Sequence, residues 1–151
     1  GDDLEHLGWQ HILGHALYSQ DDPTAWVECE KIRAFHFGLI ARTMDALGKV
    51  PEGDGTMLDR TVIVYLSDGA ETHHSRCFEW PMVILGHGGG RLIKGGHYLQ
   101  YPDYGIPGHR TMNTMFNTLL HAAGAPRDDF GNLDPTLDVA MHRGPLAEML
   151  A

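Results

Sequence analysis

Apolar residues recur every three or four positions along the stretch that begins at Pro23, the longest periodic pattern in the chain. Asp22 is suited to cap a helix, and proline fits the first helical position. Gly48 and Pro51 supply a stop, so the pattern predicts a helix of about 26 residues with one face against a core. The stripe consists of Cys29, Ile32, Phe35, His36, Leu39, Ile40, Thr43 and Leu47.

Two shorter apolar runs, 61–66 and 81–86, predict β-strands. The first is rich in β-branched residues and is bounded by charged and turn-forming residues, which is typical of a buried strand. About 14 residues connect the runs, barely enough for a crossover helix. The second strand is therefore expected to pair antiparallel with the first or to lie elsewhere in a mixed sheet.

A second helix is predicted from Thr111 onward, because methionine, leucine and phenylalanine again recur at helical spacing until Gly124 and Pro126 end the pattern. Its stripe is Met112, Met115, Phe116, Leu119, Leu120 and Ala123. With the two strands, these helices predict an α/β fold that has a mixed or mostly parallel sheet flanked by helices.

The chain has 151 residues, of which 42% are hydrophobic, so a conventional core is possible. We expect residues 1–151 to form a single domain or the C-terminal fragment of a larger domain; a start at Gly1 without methionine suggests processing or a fragment. The formal charge of -9 argues against nucleic acid as a partner. No run approaches the roughly 20 apolar residues of a membrane span.

Histidine dominates the metal-competent side chains, with eleven histidines beside two cysteines and no Cys-x-x-Cys pair. A metal site would therefore be built from nitrogen and oxygen ligands. Cys29 and Cys77 either form a disulfide, if the protein is exported, or remain buried thiols.

The segment after the first strand, which begins Ser67-Asp68-Gly69, concentrates carboxylate and imidazole groups. Asp68 stands where open α/β sheets place their ligands, so it is a candidate metal ligand, although it is also suited to cap a turn. His73 and His74 are adjacent and point in different directions, so only one of them is expected to bind a metal.

Two further histidine positions are candidates. His11 and His15 share one face if their segment is helical, a spacing that metal sites use, while two polar loop residues are the alternative. The zincin motif is absent because residue 12 is isoleucine. His109 and Arg110 directly precede the second helix, whose N-terminus favours anions. Arg110 either holds a phosphate or sulfate oxygen there or is a solvated cation.

The glycine-rich run 87–90 resembles the oxyanion loop of esterases, but it follows Ser67, whereas in that fold the loop precedes the nucleophile. No phosphate-binding P-loop pattern occurs either. The run is therefore predicted to form a tight turn.

A set of motifs lies in the segments 51–68, His74, 80–86, 88–92, 111–113 and 119–126. Together these motifs resemble the C-terminal half of a family of bacterial exported proteins of unknown function, which is itself similar to the alkaline phosphatase and sulfatase superfamily. The resemblance covers roughly residues 11–131 and implies an alkaline phosphatase-like C-terminal portion and an exported or periplasmic protein.

The resemblance also implies a set of metal ligands. The superfamily has Ser-Asp-His-Gly after a strand, here Ser67-Asp68-Gly69 without the histidine, with His73 or His74 as substitutes. A pair four residues apart corresponds to His11 and His15, and His109 matches a later histidine by order. Zinc, iron and manganese all suit such ligands.

The superfamily nucleophile has no counterpart in the chain. Two functions stay open. One is metal-dependent hydrolysis of an anionic phosphate or sulfate ester. The other is a non-catalytic binding or assembly module that needs a partner chain or a missing N-terminal half.

Overall fold

The computed structural model of the protein describes residues 23–67 and 79–151. The chain divides into two compact units, and each is described by itself. The first comprises Gly1–Leu47 and Leu66–Met82, and the second comprises Gly48–Tyr65 and Val83–Ala151.

Helix α1, Pro23–Leu47, is the long element of the first unit. It begins at the proline and ends one residue before Gly48, as predicted. The predicted burial of one face is wrong: of its described side chains only Ala25 is buried, and Phe35 is 62% exposed. Periodicity identifies the face that is able to pack, but it does not supply the layer that covers it.

Cys29 lies on α1 and carries a free thiol. Partial burial raises the pKa of this thiol, and the nearby Arg33 guanidinium partly offsets the effect. Cys77, the other member of the possible disulfide, lies outside the described residues.

The second unit has a small hairpin directly after the predicted helix stop. Strand β1, Pro51–Glu52, pairs antiparallel with strand β2, Gly55–Thr56. Asp59 closes the hairpin because its Oδ2 accepts hydrogen bonds from the Thr56 amide at 2.7 Å and from the Thr56 hydroxyl at 2.8 Å. Both bonds hold the pKa of the Asp59 carboxyl below its usual value.

The two predicted strands are present as β3, Val62–Leu66, and β4, Met82–Gly86, which pair with each other. The end of β4 lies against the start of β3, since a Cβ on Gly86 would stand 3.6 Å from the Val62 Cα, so the pair is antiparallel. None of the ten strand residues is buried, so the predicted burial of the first strand is wrong.

Helices and strands together agree with the α/β expectation at the level of element types. Residues 23–67 and 79–151 contain two antiparallel pairs of strands and no parallel pair. The parallel sheet and the alkaline phosphatase-like fold therefore stay predictions. No helix in the described ranges is long and apolar enough to cross a membrane.

Helix α2, Met112–Ala122, starts after Thr111 and ends as the sequence predicts. The Ala125 amide donates to the Leu120 carbonyl at 2.9 Å, and the Gly124 amide donates to the His121 carbonyl at 3.0 Å. These two bonds form a Schellman motif, in which Gly124 has the positive φ of 77° that the motif requires.

The buried face of α2 differs from its apolar stripe. Of the stripe only Met115 is buried, while Phe116 is 36% exposed and stacks on Phe130 with ring centroids 4.7 Å apart. The buried residues of the helix are Thr114, Met115, Asn117, Thr118 and Ala122.

The C-terminal segment, residues 127–151, explains this polar burial because its backbone is bonded to the side chains of α2. Asn117 Nδ2 donates to the Asp128 carbonyl at 3.0 Å and to the Gly144 carbonyl at 3.3 Å. The Thr118 hydroxyl accepts from the Leu146 amide at 2.8 Å. Polar side chains of one helix thus bond backbone groups of this segment, among them the amide of the buried Leu146.

Candidate functional site

His109 is the one predicted metal ligand that lies in the described ranges, and two turns place it before α2. The Ile106 amide donates to the Asp103 carbonyl at 3.0 Å, and the His109 amide donates to the Ile106 carbonyl at 2.9 Å. The chain then extends through Thr111, whose amide is bonded to the Met141 carbonyl at 3.0 Å. Backbone bonds on both sides therefore fix the backbone of His109.

The imidazole of His109 is oriented by a backbone carbonyl. The residue is 8% exposed, and its Nδ1 lies 2.9 Å from the Pro102 carbonyl oxygen. A carbonyl oxygen only accepts, so Nδ1 carries the proton and neutral imidazole keeps its lone pair on Nε2. Metal-binding histidines are held in this way, by a second hydrogen bond from the other ring nitrogen.

Tyr104 lies against His109 and is itself fixed at its hydroxyl. The two ring centroids are 5.7 Å apart in an edge-on arrangement, with 66° between the ring planes. The Tyr104 hydroxyl donates to Asp134 Oδ2 and lies 3.0 Å from the Thr136 hydroxyl. The aromatic ring is therefore held between the imidazole and the C-terminal segment.

Both oxygens of the Asp134 carboxylate accept hydrogen bonds from Thr136 or Tyr104. Its Oδ1 accepts from the Thr136 amide at 2.8 Å and from the Thr136 hydroxyl at 2.6 Å, an Asx-type turn, while Oδ2 is bonded to Tyr104. The Thr136 hydroxyl, followed by that of Tyr104, lowers the pKa of Asp134 to about 2. The carboxylate is thus a stable acceptor for Tyr104 at neutral pH.

Arg110, the predicted anion-binding residue, is anchored through one end of its guanidinium. Nη1 donates to the His109 carbonyl at 3.2 Å and to the Ala140 carbonyl at 3.3 Å. Nε and Nη2 make no hydrogen bond within the described part of the chain, which leaves donors for an anion. The Glu148 carboxylate is close enough for Arg110 to contribute to lowering its pKa.

The hydrogen bond between Tyr101 and Glu148 borders Arg110. The Tyr101 hydroxyl donates to Glu148 Oε1, which is the main reason why the pKa of Glu148 is lowered. Burial first, and the bond to Glu148 second, raise the pKa of Tyr101. Tyr101 therefore stays protonated, and Glu148 stays ionised, at neutral pH.

The glycine-rich run 87–90 forms the tight turn that the sequence predicts. The Arg91 and Leu92 amides both donate to the His87 carbonyl at 3.0 Å, and the Gly90 amide donates to His87 Nδ1 at 2.8 Å. Amides that are already bonded to the protein are not free to cradle a phosphate or an oxyanion.

The other predicted ligands lie outside the described residues; they are His11, His15, Asp68, His73 and His74. Within residues 23–67 and 79–151, no group of three or more His, Cys, Asp or Glu side chains is placed to hold a metal ion. Of the predicted site, the structure places only the neighbours His109 and Arg110.

Sequence reasoning missed the residues that position His109, namely Pro102, Tyr104 and Asp134. A weak signal existed for two of them. Asp134-Pro135-Thr136 is a turn-forming tripeptide, and the loop before His109 is rich in tyrosine and proline. Neither pattern indicates which distant residue the tyrosine hydroxyl will meet.

No family model, no curated protein and no solved structure matches this chain. The functional conclusion therefore depends on the residues and their geometry.

Proposed function

We propose that the chain is a metal-binding protein of the alkaline phosphatase and sulfatase type, acting on phosphate or sulfate esters, in which His109 binds a divalent transition metal through Nε2. The observation that carries the proposal is the bond from Nδ1 to the Pro102 carbonyl, which leaves the Nε2 lone pair for a ligand. Near-complete burial keeps the imidazole in one orientation, and neutral imidazole suits zinc, iron or manganese.

Roles for the chain's own residues follow from this geometry. His109 binds, Pro102 orients the imidazole, and Arg110 offers its unbonded guanidinium N–H groups to an anionic ester oxygen. The chemistry that a divalent metal supplies at such a site is polarisation of the ester and a lowered pKa of a bound nucleophile. Asp68, His11, His15 and His74, with His73 as the substitute for His74, remain ligands proposed from the sequence.

Metal analysis tests the proposal. Protein purified without chelator is expected to contain at least about one equivalent of zinc, iron or manganese by plasma mass spectrometry. His109→Ala is expected to weaken metal affinity by a factor of about 10 to 100 or more, the range that removal of orienting groups alone reaches. His97→Ala is the matched control, since His97 is an exposed histidine of the same unit.

Two further measurements keep the test independent of folding. Urea unfolding of His109→Ala separates lost binding from lost structure. Long-range proton–nitrogen NMR of the neutral wild-type imidazole is expected to show the proton on Nδ1. A folded, metal-free wild type, or a proton on Nε2, would contradict the proposal. An Asp68→Ala/His15→Ala double variant tests the ligands proposed from sequence in the same way.

A second function, a binding or assembly module that needs a partner chain, is supported by uncovered apolar surface. Phe35 on α1 is 62% exposed, and Leu66 of β3 and Val83 of β4 are 39% and 38% exposed. Apolar strands of this kind are normally covered on at least one face. Metal-dependent turnover of a chromogenic phosphate or sulfate ester favours the enzyme, whereas structure that forms only with a second polypeptide favours the module.

A further inference from the structure

Charge is distributed unevenly along the chain, and residues 83–127 carry the opposite sign from the rest. This stretch has four Lys or Arg residues and a single acidic residue, Asp103, so its formal charge is +3. The remaining residues therefore carry -12, because the whole chain carries -9. A chain that is acidic overall thus contains one stretch that is suited to an anionic partner. The four basic residues are Arg91, Lys94, Arg110 and Arg127.

Three of these cations are exposed and form no salt bridge within the described residues; they are Arg91, Lys94 and Arg127. Arg110, by contrast, is anchored to two backbone carbonyls and lies close to the Glu148 carboxylate. Arg91 and Lys94 belong to residues 91–99, which include no acidic residue and which we call the basic loop. Two charges of the basic loop are therefore available to a partner.

A short C-terminal segment holds the basic loop in place. The Ile93 amide donates to the Met149 carbonyl at 3.0 Å, and the Ala151 amide donates to the Arg91 carbonyl at 3.1 Å. Tyr101, which lies two residues after the loop, donates its hydroxyl to Glu148. The same segment thus bonds the chain on both sides of residues 94–99, and all six of these residues are exposed.

Apolar side chains stand beside the charges of the basic loop. Tyr98 is 85% exposed and makes no hydrogen bond within the described part of the chain, and Leu99 is 41% exposed. A tyrosine ring suits a boundary that is apolar on one side and wet on the other. A soluble acidic partner would use the cations but would leave these two side chains in water. An anionic lipid surface has charged headgroups directly above an apolar layer, so it matches both features.

We propose that the basic loop binds the surface of anionic phospholipid bilayers. Arg91 and Lys94 meet the headgroup phosphates, while Tyr98 and Leu99 enter the boundary between headgroups and acyl chains. The acidic remainder of the chain is repelled by the same surface, which orients the protein with the basic loop toward the lipid. The inference takes no part of the metal site or of the ester chemistry, so it does not rest on the proposed function.

Binding of the full chain to lipid vesicles tests the proposal. Co-sedimentation is measured with mixed phosphatidylglycerol and phosphatidylcholine vesicles and with phosphatidylcholine vesicles. We expect the wild type to prefer the mixed vesicles by at least about tenfold, and added salt to weaken this preference. Arg91→Ala and Lys94→Ala are each expected to weaken binding to the mixed vesicles about fivefold, since one cation near such a surface contributes about 1 kcal/mol.

Four exposed positions separate the basic loop from charge and hydrophobicity in general. The double variant Tyr98→Ala/Leu99→Ala is expected to weaken binding about tenfold, because it removes the side chains that enter the apolar layer. Lys49→Ala and Val139→Ala are the matched controls, since both residues are exposed in the same unit but lie outside the loop. Both controls are expected to bind as the wild type does, and circular dichroism checks that every variant is folded.

Each outcome decides the proposal. Binding that falls in Lys94→Ala and in the double variant, but in neither control, supports it. Absence of binding to the mixed vesicles at low ionic strength overturns it, as does a loss in Lys49→Ala equal to that in Lys94→Ala. Binding to soluble polyglutamate but not to vesicles would identify an acidic polymer as the partner and would also overturn it. None of these outcomes changes the metal content by which the proposed function is tested.

Discussion

Helices α1 and α2 both carry an apolar stripe in the sequence, yet they differ in the side chains that they bury. On α1, Phe35 and Leu39 are exposed and only Ala25 is buried among the described side chains. On α2, Asn117 and Thr118 are completely buried while Phe116 remains exposed. Burial on α2 follows the location of backbone groups that the helix bonds more closely than it follows hydrophobicity.

The difference has a physical origin in the C-terminal segment. The regular structure of this segment is limited to two short 3-10 helices, Val139–Met141 and Ala147–Met149, and some of its backbone groups bond to α2 instead. Buried backbone groups without partners cost about 1–3 kcal/mol each. Side-chain amides and hydroxyls on α2 supply those partners, and a stripe of leucine and methionine could not.

The largest expected effect is the loss of Asn117. Asn117→Ala removes the donor to the carbonyls of Asp128 and Gly144 and leaves a cavity, so unfolding free energy is expected to fall by about 3 kcal/mol. Phe35→Ala on α1 removes a larger and more hydrophobic side chain, but its effect is expected to stay within about 0.5 kcal/mol because the ring is exposed.

Urea unfolding and hydrogen exchange measured peptide by peptide check this contrast, since exchange assigns a loss of protection to α1 or to α2. A Phe35→Ala cost as large as that of Asn117→Ala would mean that the α1 stripe is covered in solution. That outcome would favour the assembly module and would contradict the exposure of the α1 stripe.

A narrower contrast uses two threonines whose hydroxyls both donate to a carbonyl four residues earlier. Thr118 bonds the Thr114 carbonyl at 2.7 Å, and Thr43 bonds the Leu39 carbonyl at 3.0 Å. The Thr118 hydroxyl also accepts from the Leu146 amide, so Thr118→Val leaves a buried donor unpaired and is expected to cost about 2 kcal/mol. Thr43→Val is expected to cost less than about 0.5 kcal/mol.

Hydrogen exchange at the Leu146 amide is the decisive measurement for this pair. Thr118→Val should speed exchange there, while Thr43→Val should leave it unchanged. Equal stability of the two variants, with the Leu146 amide still protected, would show that another acceptor replaces the hydroxyl.

The bounds of the long elements could be predicted from sequence because their signals are local. Pro23 starts α1, and Gly124 ends α2 with the Schellman bonds that its position suggests. The strands β3 and β4 follow from short β-branched runs. Burial could not be predicted, since Asn117 meets Gly144 across 27 residues and no local pattern encodes that contact.

In the candidate site, too, local signals could be predicted from the sequence and long-range contacts could not. His109 could be proposed from its order in the chain, and Arg110 from its position before α2. The residues that orient the His109 imidazole could not be predicted. The Pro102 carbonyl fixes the tautomer of His109, and Tyr104 bonds Asp134, which lies 30 residues later in the sequence. The glycine-rich run 87–90 was correctly predicted as a turn because the order of motifs already excluded an oxyanion loop.

Substitutions of two glycines are expected to have smaller effects than those of Asn117 and Thr118, and their expected signs are opposite. Gly38 lies inside α1, and a Cβ built there meets no atom within 4 Å, so Gly38→Ala is expected to stabilise by about 0.5–1 kcal/mol through helix propensity. Gly124 has a φ of 77°, and a Cβ there would collide with the Arg91 guanidinium. Gly124→Ala is therefore expected to destabilise by about 1 kcal/mol.

Hydrogen exchange of the α1 amides measures the sign of the stability change in Gly38→Ala. Urea unfolding measures it in Gly124→Ala. The Arg91 side chain is able to move, so the backbone conformation, rather than the collision, sets the minimum cost at Gly124. Destabilisation by Gly38→Ala would be informative in another way. The structure leaves open space around Gly38, so a loss of stability in Gly38→Ala would require that another molecule packs against α1 in solution. The exposed stripe of α1 would then be a contact surface.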